Sequence, residues 1–169
     1  MKKKVLQKLL LIILVLSANI GCDQTTKRMA EHSLKNADMK SMFFDIFRLQ
    51  YTENPGAFLG FGADFNEITK LFLFVLLPIV ALLLMFIVAL FSKNASNLKI
   101  VSYSMIIGGG MGNLIDRLFL NGLVTDFLNI GIGPLRSGIF NVADIAIMIG
   151  GIALLYIHLR EEYYLKQLG

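Results

Sequence analysis

Four long apolar stretches divide this chain, at roughly residues 5–22, 71–91, 99–119 and 139–159. Each comes close to the ~20 residues that a helix needs to cross a hydrocarbon core. The pattern predicts a four-transmembrane-helix bundle with both termini on one side. Between the first two stretches the character changes: residues 23–68 hold five Lys/Arg and seven Asp/Glu. Short alternating runs there, such as Met42 to Tyr51, predict a small extracytoplasmic β-region with one apolar face, lying over the helices. Asn54-Pro55-Gly56 supplies turn chemistry, and Phe58, Phe61 and Phe65 follow it. No repeat interrupts the chain, so 1–169 reads as a single integral membrane domain.

Composition strengthens this picture, since 56% of residues are apolar and only 17% charged, too few charges for an ordinary soluble domain. The net charge of +4 does not form a basic stripe with interleaved aromatics, and no nucleic-acid partner is expected. Lys2, Lys3, Lys4 and Lys8 instead precede the first apolar run, and Lys93 and Lys99 flank the start of the third. The excess of cations predicts that both termini and the 92–98 loop are cytoplasmic. Lys8 must then snorkel to the interface.

Cys22 is the single cysteine, which excludes an intramolecular disulfide and a thiolate metal cage. His32 and His158 lie far apart in sequence, and neither a metal nor a cofactor is expected. The basic start, short apolar core and Ile20-Gly21-Cys22 also fit a cleaved signal ending at an acylated cysteine. Asn19 argues against that reading, because such signals usually carry an aliphatic residue there. Gly108-Gly109-Gly110-Met111-Gly112 and Gly150-Gly151 predict close helix approach within lipid.

The polar residues of the C-terminal half carry the candidate chemistry. Ionisable groups at or inside a membrane are expensive to keep and mark function by default. Asn113, Asp116 and Arg117 are spaced i, i+3, i+4 and are expected on one helix face. Asn141 and Asp144 are three apart at the start of the fourth span. Taken singly, each has a structural use: Asn141 as a helix cap with Asp144 in the first turn, and Asp116 with Arg117 as a neutralising pair. Asp126, however, lies in the connection joining these same two helices, so Asp126 and Asp144 can meet at one mouth of the bundle. Two adjacent carboxylates share a proton and can hydrolyse a peptide bond, one as base and the other as acid. Proton translocation is the rival use of the same pair.

Asp23-Gln24-Thr25-Thr26-Lys27, Asn54-Pro55-Gly56-Ala57, Gly112-Asn113-Leu114-Ile115-Asp116-Arg117, Val124-Thr125-Asp126-Phe127 and Phe140-Asn141-Val142-Ala143-Asp144 resemble the successive motifs of lipoprotein signal peptidase, the bacterial type II signal peptidase. Their order and spacing extend over nearly the whole chain. The resemblance implies an inner-membrane aspartic endopeptidase with a periplasmic β-cradle and no cofactor. It implies cleavage of diacylglyceryl-modified prolipoproteins just before the lipid-bearing cysteine, with membrane lipids as surroundings and a monomer expected. It assigns the catalytic dyad to Asp126 and Asp144 and the polar groups around it to Asn113, Arg117 and Asn141. Asp23, Lys27, Asn54 and Gly56 match the extracytoplasmic motifs, while Asp116 is expected to be structural. By residue chemistry alone, Asp23 and Lys27 could be only a surface i, i+4 pair, and Asn54 and Gly56 only turn residues, since Gly56 can take positive φ. One departure from the family pattern stands out: Ala57 is followed at once by Phe58, where the family commonly has two small residues before an aromatic.

Overall fold

The computed structural model describes residues 2–57, 60–93 and 95–168. Phe58 and the loop residue Asn94 lie outside the described residues. Ten elements follow in order: α1 (Lys2–Leu34), β1 (Lys40–Met42), β2 (Phe47–Asn54), α2 (Glu67–Lys70), a π-helical segment (Leu71–Leu76), α3 (Leu77–Phe91), α4 (Asn97–Phe119), β3 (Val124–Ile132), β4 (Leu135–Arg136) and α5 (Val142–Leu168). Because α2, the π-helical segment and α3 run on without a break, four helices among the described residues are long and apolar enough to cross a membrane.

The first helix overruns its expected end. Residues 23–34, assigned from the sequence to the β-region, continue α1 instead. No glycine or proline breaks the helix between Cys22 and Leu34, and Asp23, Lys27, Ala30 and Leu34 fall on one helical stripe. All four are buried. The lower two serve the polar interior, and the upper two pack with Phe127 of β3, against which Leu49 and Tyr51 of β2 also lie. Cys22 is therefore an exposed residue in mid-helix and not at a helix end.

The sheet is antiparallel, in the order β1-β2-β3-β4. Only half of it comes from the region expected; β3 and β4 belong to the connection between α4 and α5. Thr52 pairs with Asp126 and Asn54 with Val124, after a bulge between Leu49 and Thr52. The stretch from Met42 to Tyr51 is interrupted by a turn in which Phe43, Phe44 and Asp45 take positive φ. Arg48 clamps the Asp45 carboxylate, and Arg136 donates to the Asp45 carbonyl at 2.8 Å.

The glycines of α4 bring three helices together. A Cβ at Gly108 would meet Asn19 of α1, one at Gly109 would lie 2.4 Å from the Ala143 carbonyl of α5, and one at Gly110 would meet Leu82 of α3. Gly150 likewise abuts the Ser102 carbonyl, but a Cβ at Gly151 would meet nothing within 4 Å, so that residue plays no part in the contact expected of the pair. At the opposite end of the bundle Lys8 donates to the Ser92 carbonyl, and Lys99 pairs with Glu161 at 3.0 Å. The start of α1, the α3–α4 connection and the end of α5 thus share one end. The sheet shares the other with the polar constellation.

Candidate active site

The geometry of the site begins with the start of α5. Asn141 precedes the helix and accepts from the Asp144 amide through Oδ1 at 3.0 Å, while Asp144 Oδ2 accepts from the Asn141 amide at 3.1 Å. This reciprocal cap satisfies two backbone donors and places an anion at the positive end of the helix. It leaves the Asn141 amide group free to donate to Asp126 Oδ1 at 2.6 Å and to the Asn113 side-chain oxygen at 3.1 Å. Asn113 in turn donates to Asp144 Oδ1 at 2.9 Å. The two carboxylates are therefore held by one chain of amides, Asp126–Asn141–Asn113–Asp144.

Asp126 projects from β3. Its second oxygen accepts from Asn54 Nδ2 at 3.0 Å, a contact that the β2–β3 register brings about. Asn54 also accepts from the Gly56 amide at 2.9 Å, closing the turn. Gly56 does not use the positive φ that a glycine in a turn can take. Its lack of a side chain matters for space, since a Cβ there would lie 2.5 Å from the Phe61 carbonyl. Asp126 and Asp144 line one cavity of about 200 Å³ with Asn54, Asn113, Arg117 and Ile139. Burial pushes the Asp126 carboxyl up to about 6; the Asp144 charge adds to the rise, and the bonds from Asn54 and Asn141 oppose it.

Behind the cavity lies a buried charge cluster. Lys27 Nζ reaches Asp23 Oδ2 at 2.9 Å, Asp116 Oδ2 at 3.0 Å and Asn113 Oδ1 at 2.9 Å. Lys27 is 4% exposed and Asp23 0%, so the pair is not the surface ion pair that spacing alone allowed. Asp23 Oδ1 also accepts the Ala143 amide at 2.9 Å, tying α1 to the first turn of α5. Asp116 Oδ2 accepts the Thr125 amide at 3.0 Å and fixes the strand next to Asp126.

Asp116 and Arg117 do not share a face or neutralise each other. Adjacent helical positions point about 100° apart. Asp116 faces Lys27 of α1, whereas Arg117 lines the cavity, donates to the Gly56 carbonyl at 2.8 Å and lies over the Phe74 ring at 5.7 Å. All ten residues singled out in the sequence thus fall in one connected region.

This arrangement of motifs has known counterparts. The sequence pattern of the signal peptidase (SPase) II family matches residues 12–160. The chain belongs to the signal peptidase II family. A lipoprotein signal peptidase of Buchnera aphidicola is 36% identical over 136 residues, 80% of this chain and 83% of the relative. One from Desulforapulum autotrophicum is 33% identical over 148 residues, 86% and 89% of the respective chains. A bacterial membrane enzyme solved by the in meso method at 2.3 Å superposes with a TM-score of 0.77 at 27% identity, covering 89% of this chain and 88% of the other.

Sequence reasoning on this signal peptidase II chain passed over Gln24 and Phe74, and took Gly112 only as one of the glycines of close helix approach. Gln24 donates to Asp116 Oδ1 at 2.9 Å, to Asp23 Oδ2 at 3.2 Å and to the Gly112 carbonyl at 3.2 Å. Gly112 makes room for the cluster, for a Cβ there would lie 2.5 Å from Asp23 Oδ2. Phe74, in the π-helical segment, supports the Arg117 guanidinium. Gln24 and Gly112 stood inside quoted motifs, but nothing in local spacing shows that an amide on α1 faces a carboxylate on α4. Phe74 had no signal beyond an apolar run.

Proposed function

We propose that this signal peptidase II family member is an aspartic endopeptidase that removes signal peptides from diacylglyceryl-modified prolipoproteins, cutting before the lipid-bearing cysteine. The observation that carries the aspartic type is the pair of carboxylates, Asp126 and Asp144, on one small cavity and one amide chain. One ionised carboxylate takes a proton from water as that water attacks the scissile carbonyl, and the protonated one polarises the carbonyl oxygen. The proton gained then passes to the departing amine. The titrations belong to the pair, so the role of base is assigned to neither Asp126 nor Asp144 in particular.

The surrounding residues have roles consistent with that chemistry. Asn54, Asn113 and Asn141 are neutral donors, able to orient a carboxylate without the strong bias toward ionisation that a cation brings. Arg117, with its Nε buried and without a hydrogen-bond partner among the described residues, adds positive potential at the cavity wall. Lys27, Asp23 and Asp116 fix the frame behind them. The charge distribution favours an outer-face site in a bacterial inner membrane, because the lysine-rich end of the bundle is opposite. The single domain acts as a monomer in this reading, with bilayer lipid around its spans.

Asp126→Asn and Asp144→Asn should each lower cleavage of a diacylglyceryl-modified prolipoprotein by at least about 10³-fold, within the range general acid–base groups supply. Membrane insertion, followed by protease protection of the loops, should persist. Near-normal cleavage by either variant would remove the aspartic assignment.

A further inference from the structure

Two cavities outside the catalytic one lie on the same helix seam. The first, about 440 Å³, sits between the start of the second span and the end of α4, and Arg117 forms part of its wall as well as of the catalytic cavity. Glu67, Lys70 and Asn121 form the polar part of its wall, and Leu71 and Leu118 belong to the apolar part. The second, about 400 Å³, is lined only by apolar side chains, among them Ile79, Leu83 and Phe86 of α3 and Ile107, Met111 and Leu114 of α4.

The spacing joins them into one groove. On α4, Ile107, Met111, Leu114 and Leu118 follow at i, i+4, i+7 and i+11, a single face, and Asn121 lies in the turn just past the helix end. On the second span Val75 of the first cavity and Ile79 of the other are one turn apart. From Leu71 to Leu83 the groove extends about 18 Å along the helix axis, at 1.5 Å per residue. Most of the second span faces outward, for between Leu71 and Phe91 only Phe74 and Ala89 are buried. At the upper end the wall includes the π-helical segment, a feature that tends to mark functional sites in helices.

The geometry points to this α3–α4 groove as the binding site for an acyl chain of the substrate's diacylglyceryl group, with the glyceryl esters at the Lys70–Asn121 wall. The proposal rests on the function stated above and names where that substrate's lipid lies. The polarity gradient matches an acylated glycerol: ester carbonyls only accept hydrogen bonds, and Lys70 and Asn121 can donate them. The lower groove offers no polar group at all, which suits a hydrocarbon chain and nothing that needs a hydrogen bond. The wall shared through Arg117 puts the glyceryl end beside Asp126 and Asp144, where a bond adjoining the lipid-bearing residue must be cut. A bulk phospholipid has no such need to lie next to the dyad, so the occupant is the substrate's own chain.

The test uses full-length protein in bilayers and a prolipoprotein carrying either long-chain or short-chain diacylglyceryl. Met111→Trp and Leu83→Trp fill the lower groove from opposite walls. Each should lower the ratio of kcat/KM for the long-chain over the short-chain substrate by about tenfold, equivalent to roughly two acyl methylenes left unburied. An unchanged ratio in both variants, with the unaltered enzyme cleaving both substrates, overturns the groove and leaves the peptidase reading intact. Failure of the unaltered enzyme to cleave either substrate would strike at the peptidase reading instead.

A second measurement needs no variant. Substrate with a photoreactive group at the acyl terminus should label peptides containing Leu83 or Met111, and unlabelled substrate should compete. Labelling confined to other helices overturns the proposal. So does labelling of the groove by a photoreactive phospholipid that substrate fails to displace, since the seam would then belong to a bulk lipid.

Discussion

Asn141 and Asp144 cap each other: the Asn141 side chain accepts the Asp144 amide at 3.0 Å, and the Asp144 carboxylate accepts the Asn141 amide at 3.1 Å. The structural use of this pair and its proposed chemical use are therefore the same geometry. A helix cap sets the position of one carboxylate, and the spare amide of the capping residue holds the other, Asp126, at 2.6 Å.

The two uses can be separated by substitution. Asn141→Ala should lose about 1 kcal/mol of stability with the cap and also the bond to Asp126. Asn141→Ser keeps a cap oxygen but cannot supply the amide, so its thermal midpoint should return close to that of the parent. Its cleavage rate should stay down by about 10- to 100-fold, the worth of one hydrogen bond to a charged group. Recovery of both together would mean that Asn141 acts through the cap alone.

Lys27 is the only cation within salt-bridge distance of Asp23 and Asp116 among the described residues. Lys27→Met strands two buried carboxylates, and breaking a buried pair in this way costs about 3–5 kcal/mol. The variant should accumulate poorly. Adding Asp116→Asn removes one stranded charge and should restore part of the folded yield, measured by size-exclusion profile in detergent. An additive loss in the double variant would contradict the coupling.

The glycines make contrasting predictions. Gly109→Ala drives a methyl against the Ala143 carbonyl, a backbone atom next to the dyad helix cap, and should cost both stability and activity. Gly151→Ala meets open space and should be neutral, or stabilising by up to about 1 kcal/mol through helix propensity. Thermal unfolding of the two variants side by side checks the order.

Asp126 gives a pH signature. In the folded chain its carboxyl keeps its proton up to about 6, against 3.8 in the unfolded chain. Between these values the folded state binds more protons, so this group's contribution to stability is full below about pH 4 and is lost as pH rises through 6. The whole effect is roughly 3 kcal/mol at 1.36 kcal/mol per unit. Asp126→Asn should flatten that part of the curve of thermal midpoint against pH. Activity requires one proton on the pair, so kcat/KM should decline as pH rises through about 6. Substrate expels water and disfavours the second ionisation, which should carry the basic limb of kcat to higher pH. A limb that moves to lower pH on substrate binding would contradict a burial-driven shift.

Much of this protein was legible in the order of its residues. Apolar run length gave the four spans, because a hydrocarbon core demands helices of nearly fixed length. The cost of ionisable groups near lipid singled out Asp126 and Asp144, and periodicity placed Asn113 with Arg117. Local signals could not show that residues 23–34 stay helical above the apolar run, since polarity alone does not end a helix. Nor could they show that Val124–Ile132 pairs with β2, or that Asp116 turns to Lys27 while Arg117 turns to Gly56. Those outcomes depend on which surfaces meet. A buried cation settles against whichever carboxylates packing delivers, and strand pairing joins residues some seventy positions apart for which the chain carries no local mark. Apolar length and residue type were thus enough for the spans and for the chemistry of the site; which groups pair was settled only by packing, because burial makes most unpaired charges and amides too costly to leave alone.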